Sequence, residues 1–273
     1  FVPYQLWFTG TEQHRSQARA LEQLRGDLPP SLASLDSQLP TGPARPAPSI
    51  DTAHTGSWIG VLTIPTLGLT QAIIEGTGEG QLSQGPGHYS STPLPGSAGN
   101  SALAGHRTTW GEPFRHLDQL KRDDPIIVTT GSGRFLYRVI RNIVVNPDDG
   151  LVIAPTRSNL LTLTTCNPPY SAASRLVIQA TLTNSTLLND PGATHTFLQR
   201  ANSHPRSSSP SRGMAAALVV IDLVALVGLA VMLERSRRLW KSRRWMPGLL
   251  VVITLLLVTQ LFHNALWILP SGW

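Results

Sequence analysis

Three residues of this chain have side chains suited to covalent chemistry and stand in a suggestive order. Cys166 is the only cysteine among 273 residues. It ends the β-like run Asn159–Cys166, and Arg175 opens the next apolar alternating run, nine residues on. His106 closes a third short run, SALAGH, 60 residues before the cysteine. A thiol attacks as its thiolate, which a neighbouring cation favours. An imidazole can protonate a leaving group. A guanidinium keeps its charge and offers a planar fork of donors for a carbonyl or an oxyanion. Read one at a time, each residue also has a plainer use. A cysteine after TLTT can be a small buried apolar group, the histidine a cap, and the arginine an exposed charge at a strand start.

The elements that must position these residues are short and β-rich. WIGVLTI within 57–65, 69–76, 101–106, 125–130, 133–145, 159–166 and 175–182 read as strands, rich in β-branched residues and bounded by Gly, Pro and Ser. Phe114, Leu117 and Leu120 have helical spacing within 112–122. The Gly/Pro/Ser-dense segment between 78 and 100 reads as loop with one short helix. Seven or eight strands with few helices point to an all-β barrel, covering residues 56–183. The turn NPPYSAAS would set Cys166 and Arg175 side by side on one rim of it.

Residues 1–55 read as an N-terminal polar helix, exposed over 11–26, followed by a Pro-, Ser- and Ala-rich linker or stalk. Residues 184–213 read as a second linker. The aromatics of the opening FVPYQLWFTG are of the membrane-interface type and suggest a span just upstream.

Two apolar runs follow. Residues 214–233 contain one charge, Asp222, and residues 246–269 contain no Asp, Glu, Lys or Arg. A helix needs roughly 20 apolar residues to cross a bilayer, so both read as transmembrane α-helices rather than buried core helices. Between them, residues 234–245 carry six basic residues against one Glu, which assigns that loop to the cytoplasm. The barrel would then face outside, on a multi-pass protein of the cell membrane. Residues 214–273 hold six basic and two acidic side chains, so they supply +4 of the net charge of +6. The basic balance thus reflects membrane topology, and nucleic acid is not an expected partner. A lone thiol outside the cytoplasm has no disulfide partner in this chain, which marks it as reactive or intermolecular.

The motifs are similar to those of the sortases, cysteine transpeptidases of Gram-positive cell surfaces. TLTTC, 162–166, resembles the family's TLxTC signature. Arg175 of RLVIQA matches its arginine after the β7–β8 loop. AGHRTTWGEPFRHLDQL and the preceding GPGHYSSTPLPGSAGNSALAGH match the segment around its catalytic histidine, here His106. The resemblance spans about residues 56–183. It implies a closed eight-stranded sortase β-barrel with short helices, besides the two C-terminal transmembrane helices. It implies Cys166 as nucleophile, His106 as general acid and base, and Arg175 as the group that orients the peptide and stabilises the oxyanion. Thr165, Trp110, Tyr170 and Ser171 become candidate substrate contacts.

The implied reaction cleaves an LPXTG- or LAXTG-like sorting signal between Thr and Gly and passes the surface protein to an amine of a lipid II-type cell-wall precursor. No cofactor or metal is implied. GHRTTWGEPF and TCNPPYSAASRLV look most like class E sortases of actinobacteria, with Trp110 where that pattern often has Tyr. The C-terminal spans instead resemble class C, the pilin polymerases, whose acceptor is a pilin Lys. Their Asp-Pro-aromatic lid has no counterpart upstream of Gly56. Two readings from other classes remain. A Cys/His enzyme of the L,D-transpeptidase type would need an SxGC-like motif, which is absent, and a papain-like hydrolase would need Cys before His. A non-enzymatic, membrane-anchored β domain that binds a surface protein would need no such trio.

Overall fold

The computed structural model describes residues 2–29, 32, 39–48, 53–188 and 191–203, with isolated positions at 220, 224, 227 and 260. The expected spans 214–233 and 246–269 and the loop 234–245 lie outside the described residues but for those isolated positions. Among the described residues no helix is long and apolar enough to cross a membrane.

The strands are β1 (Trp58–Ile64), β2 (Leu69–Glu75), β3 (Gly87–His88), β4 (Asn100–Ala104), β5 (Pro125–Thr130), β6 (Gly133–Val145), β7 (Leu160–Asn167) and β8 (Ser174–Leu187). They close into a barrel in the order β1-β2-β3-β4-β7-β8-β6-β5. Pairing is antiparallel except at β2–β3 and β4–β7. Closure leaves no unpaired edge on the sheet as a whole. Alternation sends one face of each strand inward, where Leu62, Ile64, Ile73, Leu103, Phe135, Leu161, Leu163 and Ile178 form the core. Tyr137 is buried there, and its hydroxyl accepts from the Gly96 N–H at 2.9 Å. Burial pushes that phenol up, so it stays a neutral hydrogen-bonding group.

Four sequence expectations give way to packing. The segment 112–122 forms no α-helix; only Leu117–Gln119 makes a 3-10 turn. Phe114, Leu117 and Leu120 are nonetheless all buried in the barrel core. Positive φ at Trp110, Glu112 and Asp123 breaks the helical path on both sides of them. The spacing was a core signal carried by an irregular loop.

The N-terminal helix α1 (Val2–Asp27) is exposed on one face only over 11–26 and buries the other. Its Ala20 and Leu24 pack with Trp58, Ala72 and Ile74 on the outside of β1 and β2. Gln17 is buried with them: its Nε2 donates to Ala72 O at 3.1 Å and to Gln84 O at 2.8 Å, and its Oε1 accepts from Ala72 N at 2.7 Å. Strand β3 pairs with β2 only at Ile74 and Glu75, which leaves Ala72 with no strand on that side. The glutamine amide fills in for the missing strand by offering the same donor and acceptor as a peptide.

The Pro-rich segment is a strap rather than a stalk over its described part. Gly42 O accepts from Ser185 N, Ser185 Oγ donates to Pro43 O at 2.9 Å, and Ala47 N donates to Gly96 O at 2.8 Å. Residues 191–203, within the expected second linker, form helix α2 (Pro191–Ser203), whose Phe197 and Leu198 are buried beside α1. The short helical turn Glu79–Leu82 is the one helix of the 78–100 segment.

Candidate active site

Two strand pairings assemble the site. In the β7–β8 hairpin, Cys166 and Arg175 are direct register partners, the penultimate pair before the turn. In the parallel β4–β7 pair, the last register match is Ala104 with Thr164. The pairing continues past the strand end, with Gly105 N donating to Thr164 O at 3.1 Å and Thr165 Oγ1 to Gly105 O at 2.7 Å. His106 therefore leaves the barrel beside the residue that bears the thiol. The TLTTC motif supplies β-branched residues for a buried central strand and places the nucleophile at its end.

Arg175 aims its guanidinium at the sulfur: Nη1 stands 3.8 Å from Cys166 Sγ. The same nitrogen donates to Ala172 O at 3.2 Å and Ser174 O at 3.3 Å, which fixes the fork within the turn. His106 is only 8% exposed, and its Nδ1 lies 3.1 Å from Thr109 Oγ1. Burial strips water from the ring and lowers its pKa from the usual 6.5 to about 3. Burial likewise pushes the Cys166 thiol up, while Arg175 and Arg107 pull it part of the way back. At neutral pH the resting pair is thus a neutral thiol and a neutral imidazole. Charge must develop as substrate enters, and fixed cations are in place to meet it.

The four candidate substrate contacts have different settings. Thr165 is 1% exposed and ties β7 to β4 through its bond to Gly105, so its role in this structure is to hold the strand ends together. Trp110 is half-buried in the loop after His106, at φ 51°. Tyr170 is exposed at the tip of the β7–β8 turn, at φ 65°. Ser171 caps the same turn, its Oγ accepting from Ala173 N at 3.2 Å. The two loops meet through Arg115, which pairs with Glu112 and also with Tyr170. Trp110 and Tyr170 therefore stand on two loops that meet, one following His106 and one joining β7 to β8. Next to Trp110, Gly111 at φ 69° lies against the Gln13 side chain of α1, so the N-terminal helix reaches this loop.

One residue was not anticipated. Arg107 is 5% exposed, and its Nη1 donates to Cys166 O at 3.2 Å and to Asn167 Oδ1 at 2.7 Å. Its Nη2 pairs with Asp118 Oδ2 at 3.4 Å. The signal was present: a parallel β4–β7 register extended three residues beyond Ala104–Thr164 sets 107 beside 167. The β6–β7 loop is pinned by buried amides. Asn100 Nδ2 donates to Val152 O at 3.0 Å and Ala154 O at 3.1 Å, and Gln179 Nε2 also reaches Val152 O at 3.0 Å. Among the described residues, no three His, Cys, Asp or Glu side chains gather as metal ligands.

Residues 62–183 match the family model of the sortase domain. Sortase SrtE1 of Streptomyces coelicolor is 32% identical over 194 residues, covering 65% of this chain and 51% of the relative. Sortase D of Bacillus subtilis is 34% identical over 116 residues, covering 42% and 57% respectively. The chain thus spans about half the length of these curated relatives. Among solved structures, sortase E of Streptomyces avermitilis is 34% identical with a TM-score of 0.46, over 52% of this chain and 99% of that one.

Proposed function

The chain belongs to the sortase family, whose members are cysteine transpeptidases, and is similar to class E sortases; we propose that it cleaves an LPXTG- or LAXTG-like sorting signal between Thr and Gly and transfers the protein to an amine of a lipid II-type cell-wall precursor. The observation that carries this reading is the pairing of Cys166 with Arg175 at the mouth of β7–β8, with His106 delivered beside them by β4.

In the proposed reaction the Cys166 thiol passes its proton to His106 as the sulfur attacks the threonine carbonyl. The carbonyl electrons move to oxygen, and Arg175 meets that oxyanion with a fixed positive charge. Collapse expels the glycine amine, which takes a proton from His106. The enzyme now holds a thioester. An incoming amine attacks the same carbonyl and passes its proton to His106, and the Cys166 sulfur leaves and takes that proton back from the ring. The depressed basicity of His106 suits the donor role, since a protonated ring in this site gives its proton up readily.

Residues 214–233 and 246–269 are the proposed transmembrane helices, with 234–245 cytoplasmic and the barrel extracytoplasmic. The apolar length of both runs and the basic loop support that topology. Similarity to class E relatives favours cell-wall anchoring over pilin polymerisation through a Lys amine.

The test is peptide turnover by the full chain with LPXTG and LAXTG substrates, with and without added hydroxylamine or a glycine amine. Cleavage that Cys166→Ala abolishes, with product shifting to the amine adduct, supports the reading. Turnover insensitive to both the substitution and the amine sinks it.

A further inference from the structure

We propose that Arg107 is a positioning residue of this site: its guanidinium clamps the end of the nucleophile strand at Cys166 and Asn167 and sets a second fixed cation behind the thiol. The inference rests on the transpeptidase reading above and extends it to a residue outside the Cys, His and Arg trio.

The clamp is one end of a relay across the hairpin mouth. Arg107 Nη1 donates to Cys166 O and to Asn167 Oδ1. That fixes the Asn167 amide so that its Nδ2 donates to Ser174 Oγ at 3.1 Å. Ser174 Oγ in turn donates to Asn167 O at 2.8 Å. Cys166 and Arg175 sit immediately inside this Asn167–Ser174 pair. Without the relay, the last register pair would be free to fray, and the 3.8 Å approach of Arg175 to the sulfur depends on it.

Charge leads to the same residue. A cation as buried as Arg107 is costly unless it is compensated. Its one carboxylate partner, Asp118, is half-exposed at 3.4 Å. Charged or titratable groups on the elements packed round the thiol are Arg175 on β8, Tyr170 in the β7–β8 turn, and His106, Arg107, Glu112, Arg115, His116 and Asp118 on the segment after β4, where Glu112 and Arg115 pair with each other. With Cys166 and His106 neutral, the resting site has two guanidinium groups and one solvated carboxylate. A thiolate, or the oxyanion it generates, is the anion this surplus would favour. Arg107 also acts on the sulfur in the same sense as Arg175.

The test compares wild type, Arg107→Lys, Arg107→Gln and Asn167→Ala in the full 273-residue chain. Two readouts are taken: the pH midpoint of Cys166 alkylation by iodoacetamide, and the rate of peptide transfer to an amine. Expected are a higher alkylation midpoint in Arg107→Gln and a midpoint close to wild type in Arg107→Lys. At least a tenfold loss of transfer is expected in both, since lysine keeps the charge but not the two-point clamp. Folded Arg107→Gln with the midpoint and transfer rate of wild type overturns the proposal. Should Arg107→Gln not fold, Asn167→Ala decides: its partly exposed side chain can be removed with the barrel intact, and several-fold slower transfer is expected. Unchanged transfer in that variant overturns the clamp. Alkylation needs no peptide, so a wild-type chain that fails to turn over peptide refutes the proposed substrate while leaving the midpoint comparison readable.

Discussion

Arg175 faces Cys166 across the β7–β8 ladder as its register partner, with the guanidinium Nη1 3.8 Å from the sulfur. Backbone pairing sets this approach, so the two groups hold their spacing before any substrate arrives. Arg175→Lys retains the positive charge and loses the planar fork. We expect its thiol to alkylate with a pH midpoint near that of wild type, while peptide turnover falls by about 10²–10³-fold, the usual loss for one oxyanion donor. Arg175→Gln should lose turnover to a similar extent and also raise the midpoint. Equal turnover in wild type and Arg175→Lys would show that charge alone suffices.

The buried imidazole makes a prediction for stability. His106 takes up its proton at about 3 when folded and near 6.5 when unfolded. Between those values the unfolded chain binds the extra proton, so stability declines as pH drops through the window, by about 1.4 kcal/mol per unit for this one group. Above pH 6.5 the ring is neutral in both states and the penalty vanishes. Urea midpoints at pH 7 and pH 4.5 should therefore fall further for wild type than for His106→Asn. Equal falls would mean that the ring is solvated in the native state.

Gln17 shows where sequence reading stopped short. A polar heptad such as HRSQARA carries no sign that one of its amides will complete a sheet edge. The need arises only because β3 is two residues long and leaves Ala72 with no strand on the side away from β1, a fact of tertiary register. Gln17→Leu should remove both bonds to Ala72, leave its N–H and C=O buried, and cost about 1–3 kcal/mol. Chemical denaturation measures this directly. A stability equal to wild type would mean that water replaces the amide and α1 is loosely held.

The chemistry was more legible than the scaffold around it. Cys166, Arg175 and His106 could be located because each ends or begins a short β-like run, and strand ends map onto one rim. The segment 112–122 misled because Phe114, Leu117 and Leu120 are spaced as on a helix while their loop turns through positive φ at Trp110 and Glu112. Apolar spacing reports which side chains are buried, and the backbone path between them depends on what they are buried against. Residues 39–48 misled for a related reason. Proline-rich composition excludes helix and interior strand, yet it permits an extended strap that bonds to β8 through Gly42 and Pro43.

Gly105 separates the end of β4 from His106, and its position tests how tightly the histidine is set. A Cβ built there would lie 2.5 Å from Phe114 Cδ2, and Phe114 is fully buried in the barrel core. The ring has no room to retreat, so Gly105→Ala must shift the backbone that leads into His106. We expect a stability loss of about 1–3 kcal/mol from overpacking. Turnover should fall further than that loss explains, because a displaced imidazole no longer reaches the leaving amine. Alkylation of Cys166 should slow as well, since Thr165 and Arg107 tie the residues on either side of His106 to the end of β7. A variant that keeps the wild-type alkylation rate while losing turnover would mean that the β4 and β7 ends are separately held parts.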